Sequence, residues 1–198
     1  GYGKTEVAMR AAFLAVEGGK QVAALAPTTI LAQQHLQTFR HRFRNQPVRI
    51  EMVSRFLTSK EVAKILQETA QGKVDILIGT HRLLQKDVEF KDLGLVIVDE
   101  EQHFGVSHKE RLKELRADVH VLTLTATPIP RTLQMALSGI REMSIIATPP
   151  VDRLAVRTYI TPFDPVVIRE ALLREKYRGG QAYYVVPRIS DLTDLERY

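Results

Sequence analysis

A lysine behind a glycine turn, and a run of carboxylates behind an apolar segment, are the residues of this sequence best suited to chemistry on phosphate. Gly1-Tyr-Gly-Lys-Thr5 matches the end of the pattern G-x-x-x-x-G-K-[ST]. The pattern's first glycine falls before residue 1, so the chain is expected to be cut inside this loop. Glycines let backbone N–H groups close around phosphate oxygens, and a helix starting here adds its unpaired donors and positive dipole end. Gly1, Gly3, Lys4 and Thr5 would then hold the triphosphate of ATP, with Lys4 reaching the β and γ phosphates and the Thr5 hydroxyl serving Mg2+. A glycine turn before an ordinary helix would read the same in isolation.

The second feature changes that balance. Leu93-Gly-Leu-Val-Ile-Val98 runs into Asp99-Glu-Glu-Gln102, which places carboxylates at the C-terminal edge of an expected buried strand, where open α/β sheets bind ligands. Asp99 can hold Mg2+ through a coordinated water, and Glu100 can orient or deprotonate the water that attacks the γ phosphate. Gln102 can sense that phosphate through its amide. Glu101 fits a surface residue and His103 a polar surface or interlobe contact. A solvated acidic turn would explain one carboxylate but not its pairing with the phosphate loop.

Three further segments end strands in polar groups. Leu122-Thr-Leu-Thr-Ala-Thr-Pro-Ile-Pro-Arg131 contains a rigid Thr-Ala-Thr turn, in which Thr125 and Thr127 could link nucleotide state to lobe movement. A strand end before a proline-started helix accounts for its prolines alone. Pro27-Thr-Thr-Ile-Leu-Ala-Gln33 and Gly79-Thr-His-Arg-Leu-Leu84 offer Thr28, Thr29, Gln33, Thr80, His81 and Arg82 to a nucleic-acid backbone. Hydroxyls, helix N-termini and a guanidinium grip phosphates without reading bases, although each segment alone also fits a simple cap or loop. Arg40, Arg42 and Arg44 fit the solvated face of a helix. His35, His41, His81, His108 and His120 form no nucleophilic or metal constellation, and none is given a catalytic role.

Short β-rich runs alternate with segments of helical period, the pattern of a parallel sheet covered by helices on both faces, so the class is α/β. Helices are expected over Glu6 to Glu17, with Val7, Ala8, Ala11, Leu14 and Ala15 on helical spacing, and over Thr29 to Phe43. A third follows Thr58, where Glu61 completes a capping-box pattern and Val62, Ile65, Leu66 and Thr69 form the apolar face. Strands are expected at Gln21 to Ala26, Arg49 to Ser54, Val74 to Ile78, Leu93 to Val98 and His120 to Leu124. Thr148-Pro-Pro-Val-Asp152 reads as a linker, dividing the chain into a lobe over 1–150 and a second unit over 151–198. That unit should hold a strand at Leu154 to Ile160, a helix from Asp164-Pro165 to Gly179-Gly180 and a strand at Gln181 to Val186. It is too short for a complete α/β lobe, and the chain is expected to be cut at this end as well.

The totals are permissive. At 198 residues and 44% hydrophobic the chain can bury a substantial core. It has no cysteine, which excludes disulfides and thiolate zinc sites. No run approaches the roughly 20 apolar residues of a membrane span and no signal peptide is evident, so no membrane partner and a cytoplasmic location are expected. A net charge of +5 suits a polyanionic partner without requiring one.

In their order, GKT, PTTILAQQH, GTHRLL, DEEQ and TATPIPRTL resemble motifs I, Ia, Ib, II and III of the superfamily 2 helicases and translocases. The stretches Lys4-Thr-Glu-Val-Ala-Met-Arg-Ala-Ala-Phe13, Arg49-Ile-Glu-Met-Val-Ser-Arg55 and Ser144-Ile-Ile-Ala-Thr-Pro-Pro150 are similar to the bacterial transcription-repair coupling factor family. The resemblance implies a RecA-like P-loop lobe followed by the start of a second RecA-like lobe. It also implies a parent that hydrolyses ATP to translocate on double-stranded DNA, removes stalled RNA polymerase and recruits nucleotide-excision-repair proteins through other domains. The family generally has arginine where this sequence has His103. With its arginine fingers expected in the second lobe, the fragment alone should be catalytically poor. Two alternatives are a RecG-like fork-remodelling helicase, which shares the TATPIPRTL motif but usually has a DEQH-type acidic motif, and a nucleic-acid-binding module without turnover.

Overall fold

The computed structural model describes residues 3–100, 104, 119–126, 143–148 and 156–191. By its internal contacts the chain divides into two compact units, Gly1–Val151 and Asp152–Tyr198.

The first unit is built on five parallel strands: β1 (Gln21–Leu25), β2 (Ile50–Val53), β3 (Ile76–Gly79), β4 (Leu93–Asp99) and β5 (His120–Leu124). Their spatial order is β2-β3-β1-β4-β5. The register sets Leu25 beside both Gly79 and Val98, Val53 beside Gly79, and Asp99 beside Leu124. All five strands therefore end at one edge of the sheet, and the loops that leave that edge carry the polar residues singled out above.

Strand alternation sorts the core into two layers. Val22, Ala24, Ile76, Ile78, Leu95 and Ile97 pack with the helices α1 (Lys4–Glu17) and α2 (Thr29–Arg42). Ala23, Leu25, Leu77, Val96 and Val98 pack with Val62, Ile65 and Leu66 of α3 (Ser59–Ala70) and with Leu83 and Leu84 of the 3-10 turn His81–Leu84. Helices thus cover both faces. Burial on both sides explains why the inner strands β1, β3 and β4 read as largely apolar runs.

Helix starts follow their caps. Thr58 accepts the Glu61 N–H while the Glu61 carboxylate accepts the Thr58 N–H at 2.8 Å, a complete capping box contributing about 1 kcal/mol. The Thr58 hydroxyl and N–H hold the Glu61 carboxyl below its ordinary range. α1 begins two residues earlier than expected, because the Gly3 carbonyl already accepts the N–H groups of Glu6 (3.0 Å) and Val7 (3.3 Å). Of the apolar residues on helical spacing, Ala8, Ala11 and Ala15 face the core, but Val7 and Leu14 do not. Val7 and Leu14 are 46% and 69% exposed, whereas Ala8, Met9 and Ala12 are buried. Apolar residues run almost around this helix, so periodicity leaves its rotation open, and the small side chains let it approach the sheet closely.

One polar residue of the core is structural. Gln21, 5% exposed, donates from Nε2 to the carbonyls of Thr69 (2.9 Å) and Val74 (2.7 Å) and accepts the Asp92 N–H at 3.0 Å. It ties the end of α3 to the segments entering β3 and β4.

In the second unit α4 (Pro165–Tyr177) has Asp164 as its N-cap, accepting the Val166 N–H at 2.9 Å, proline in its first turn, and Gly179 at φ 75° just beyond its end. A 3-10 turn spans Ile189–Asp191. The two expected strands are not formed in the described residues: 156–160 and 181–186 lie outside regular structure. Their composition favours strand, but a strand exists only through a hydrogen-bonded neighbour, and neither segment has one among the described residues. Val156, Ile160, Tyr183 and Val185 are accordingly more than four-fifths exposed. No helix among the described residues is long and apolar enough to cross a membrane.

Candidate functional site

Gly3 caps α1 in the left-handed conformation, φ 91°, which a side chain would strain. No side chain caps this helix end among the described residues, leaving its first-turn donors to an incoming anion. Lys4 and Thr5 occupy that first turn and are half-buried. Across the sheet edge Asp99 ends β4 and Glu100 follows it.

Glu100 is the one described non-glycine residue with positive φ, at 51°, a conformation costing about 1–3 kcal/mol that clusters at functional sites. Pairing of its N–H with the Leu124 carbonyl at 2.9 Å holds it there. The turn after β5 embraces its carboxylate: Thr125 Oγ1 donates to Oε2 at 3.1 Å and the Ala126 N–H donates to Oε1 at 3.1 Å. Lys4 Nζ lies 3.5 Å from Oε1. That is a loose ion pair between partly exposed groups, a geometry in which the ammonium can turn to a more highly charged phosphate. Three segments separated by up to 121 positions, represented by Lys4, Glu100 and Thr125, meet here.

The donors on this edge suit a hard cation. A hydroxyl at Thr5 and a carboxylate at Asp99 are oxygen ligands of the kind Mg2+ takes, usually one or two from protein with the rest from phosphate and water. Among the described residues no cluster of three or more histidine, cysteine or acidic side chains could hold a metal by itself.

The neighbouring strand ends carry the other candidates. Thr28 caps α2, accepting the Leu31 N–H at 3.3 Å; Thr29 opens the helix and Gln33 is exposed on it. Thr80 precedes the 3-10 turn holding His81 and Arg82. Asp87 grips the Arg82 guanidinium with both carboxylate oxygens, one at 2.6 Å, which raises the Arg82 pKa and lowers that of Asp87. Gly1, Glu101, Gln102, His103 and Thr127 lie outside the described residues.

One residue of this edge escaped sequence reasoning. His35, given no role there, sets Nε2 3.0 Å from Asp99 Oδ2. Spacing carries a faint signal for it. His35 stands three residues after buried Ala32 and four before buried Phe39, on the inward stripe of α2.

Residues 1–136 match the model of the DEAD/DEAH box helicase family. The chain belongs to this family. Its five-stranded parallel sheet flanked by helices is the RecA-like lobe of such helicases, a fold that binds nucleotide. This helicase lobe is 66% identical over 192 residues to the transcription-repair-coupling factor of Escherichia coli (strain K12), covering 97% of the chain and 17% of that relative. It is 57% identical over 192 residues to the protein of the same name from Bacillus subtilis (strain 168), covering 97% of the chain and 16% of that relative. The lobe therefore spans about a sixth of the length of these relatives. Among solved structures it is similar to RecG bound to a three-way DNA junction, with a TM-score of 0.79 and 36% identity over the whole chain and 27% of that one.

Proposed function

We propose that this chain is the nucleotide-binding lobe of an ATP-driven translocase on double-stranded DNA that acts in transcription-coupled repair. The observation that carries the reading is the convergence of Lys4, Glu100 and Thr125 on one sheet edge, in a lobe 66% identical to a transcription-repair-coupling factor. The 36% identity to RecG ranks the fork-remodelling alternative second. In this reading Lys4 and the α1 N-terminus hold the β and γ phosphates of ATP, and Thr5 and Asp99 hold Mg2+. Mg2+ supplies charge neutralisation on the phosphates when bound. Glu100 accepts the proton of the attacking water, while Thr125 and Ala126 keep its carboxylate aimed. In the same reading the Gln102 amide senses the γ phosphate, and Thr125 and Thr127 couple nucleotide state to lobe movement. Residues 151–198 begin the second lobe. RNA polymerase and excision-repair proteins are engaged by other parts of a cytoplasmic parent.

A full-length protein carrying this lobe should show ATPase activity stimulated by double-stranded DNA, and Lys4→Ala should lower that activity by about 100-fold or more, as loss of a main charge stabilising the transferred phosphoryl group does. DNA-independent hydrolysis, or full activity in Lys4→Ala, overturns the proposal.

Thr28, Thr29, Gln33, Thr80, His81 and Arg82 line the backbone-gripping face in this reading. Arg82 must then exchange Asp87 for a DNA phosphate. Removing the competitor with Asp87→Asn should tighten non-specific DNA binding by about 3-fold at low salt, the scale of one exposed ion pair, with less effect as salt screens it. Titration by fluorescence anisotropy at two salt concentrations measures this. Equal affinity at both would remove Arg82 from the interface.

A further inference from the structure

The contact between His35 and Asp99 joins two segments 64 positions apart, each with a side chain only 15% exposed. An ionised carboxylate only accepts hydrogen bonds, so the 3.0 Å contact places a proton on His35 Nε2, donated to Asp99 Oδ2. The imidazole is itself held in place. It packs edge-on against Phe39, ring centres 6.5 Å apart at 79°, and Phe39 is 2% exposed and stacked on Phe43 at 6.0 Å. Phe43 in turn meets Phe13 of α1 at 6.0 Å. The histidine thus stands on a wall of aromatic rings linking α2 to α1, the helix that carries Lys4 and Thr5.

We infer that His35 is a positioning residue for Asp99, holding one carboxylate oxygen so that the other stays turned to the cation of the bound nucleotide. The inference rests on the nucleotide reading of this edge. Carboxylates that serve a cation depend on such outer hydrogen bonds, because a carboxylate free to rotate loses part of its ordering advantage each time a cation binds. The contact also makes α2, capped by Thr28, part of the cation site. A shift of that helix carries His35 and the Asp99 oxygen with it.

The test is Mg2+ titration of fluorescent ATP-analogue binding to the full-length protein, compared with binding in EDTA. His35→Leu should raise the half-saturating Mg2+ concentration about 10-fold while leaving affinity in EDTA within about 2-fold, as loss of an outer partner does at other metal sites. His35→Gln, whose amide nitrogen reaches the position of Nε2, should recover most of the loss, and the shorter His35→Asn should not. An unchanged Mg2+ dependence in His35→Leu, or equal behaviour of the Gln and Asn variants, overturns the role of His35. Should His35→Leu fail to fold, the Gln and Asn contrast decides alone. Wild-type protein that binds no nucleotide overturns the nucleotide reading itself, an outcome distinct from normal wild-type binding beside an unaffected His35→Leu.

Discussion

Glu100→Gln is expected to abolish steady-state ATP hydrolysis in a full-length protein, by about 1,000-fold or more, while nucleotide binding stays close to that of the wild type. The amide keeps the size of the carboxylate and an oxygen able to accept from Thr125 or the Ala126 N–H, so the turn after β5 retains a partner. What it loses is basicity, and general-base catalysis by one side chain is worth about 100- to 10,000-fold. The loose Lys4 contact at 3.5 Å is also weakened, which frees the ammonium for phosphate rather than hindering it. Equilibrium binding of a fluorescent ATP analogue, set beside steady-state turnover, separates the two effects. Unimpaired turnover would falsify Glu100 as the base. Loss of binding together with turnover would instead make it a structural prop of the phosphate loop.

Gln21→Leu should cost the lobe about 2–4 kcal/mol of stability, because leucine fills the space but leaves the Val74 carbonyl and the Asp92 N–H without the glutamine amide, while the Thr69 carbonyl keeps only the Gly72 N–H at 2.9 Å. Each orphaned buried group costs about 1–3 kcal/mol, relieved in part where water can enter. The penalty is local to the meeting point of α3, β3 and β4. Native-state hydrogen exchange of the β1 and β3 amides is therefore a better measure than a global melt of a large multidomain protein. Protection equal to that of the wild type would show that water replaces the glutamine without loss.

Gln21 also shows where sequence reading stops. In Gln21-Val-Ala-Ala-Leu-Ala26 it reads as the polar start of a buried strand, and β1 does begin there. Nothing in that run says that its amide serves backbone groups 48, 53 and 71 positions away. α1 shows the same boundary differently. Its existence follows from helical spacing and the glycines that stop it, but its rotation follows from packing, since Val7 and Leu14 are as apolar as the residues that are buried in their place. The segments 156–160 and 181–186 mark the opposite failure, strand composition without the neighbour that makes a strand.

The α/β class, the five strands of the first unit, the capping box at Thr58 and the membership implied by the ordered motifs were all legible in the residues. Each depends on interactions between neighbours in the chain, whose periodicity and spacing are written in the sequence. The strand order β2-β3-β1-β4-β5, the left-handed Glu100 held between Leu124, Thr125 and Ala126, and the bond from His35 to Asp99 were decided by the tertiary structure. Contacts spanning 24 to 64 positions are chosen by which strand lies beside which, and a parallel sheet sets that order through buried packing rather than local preference.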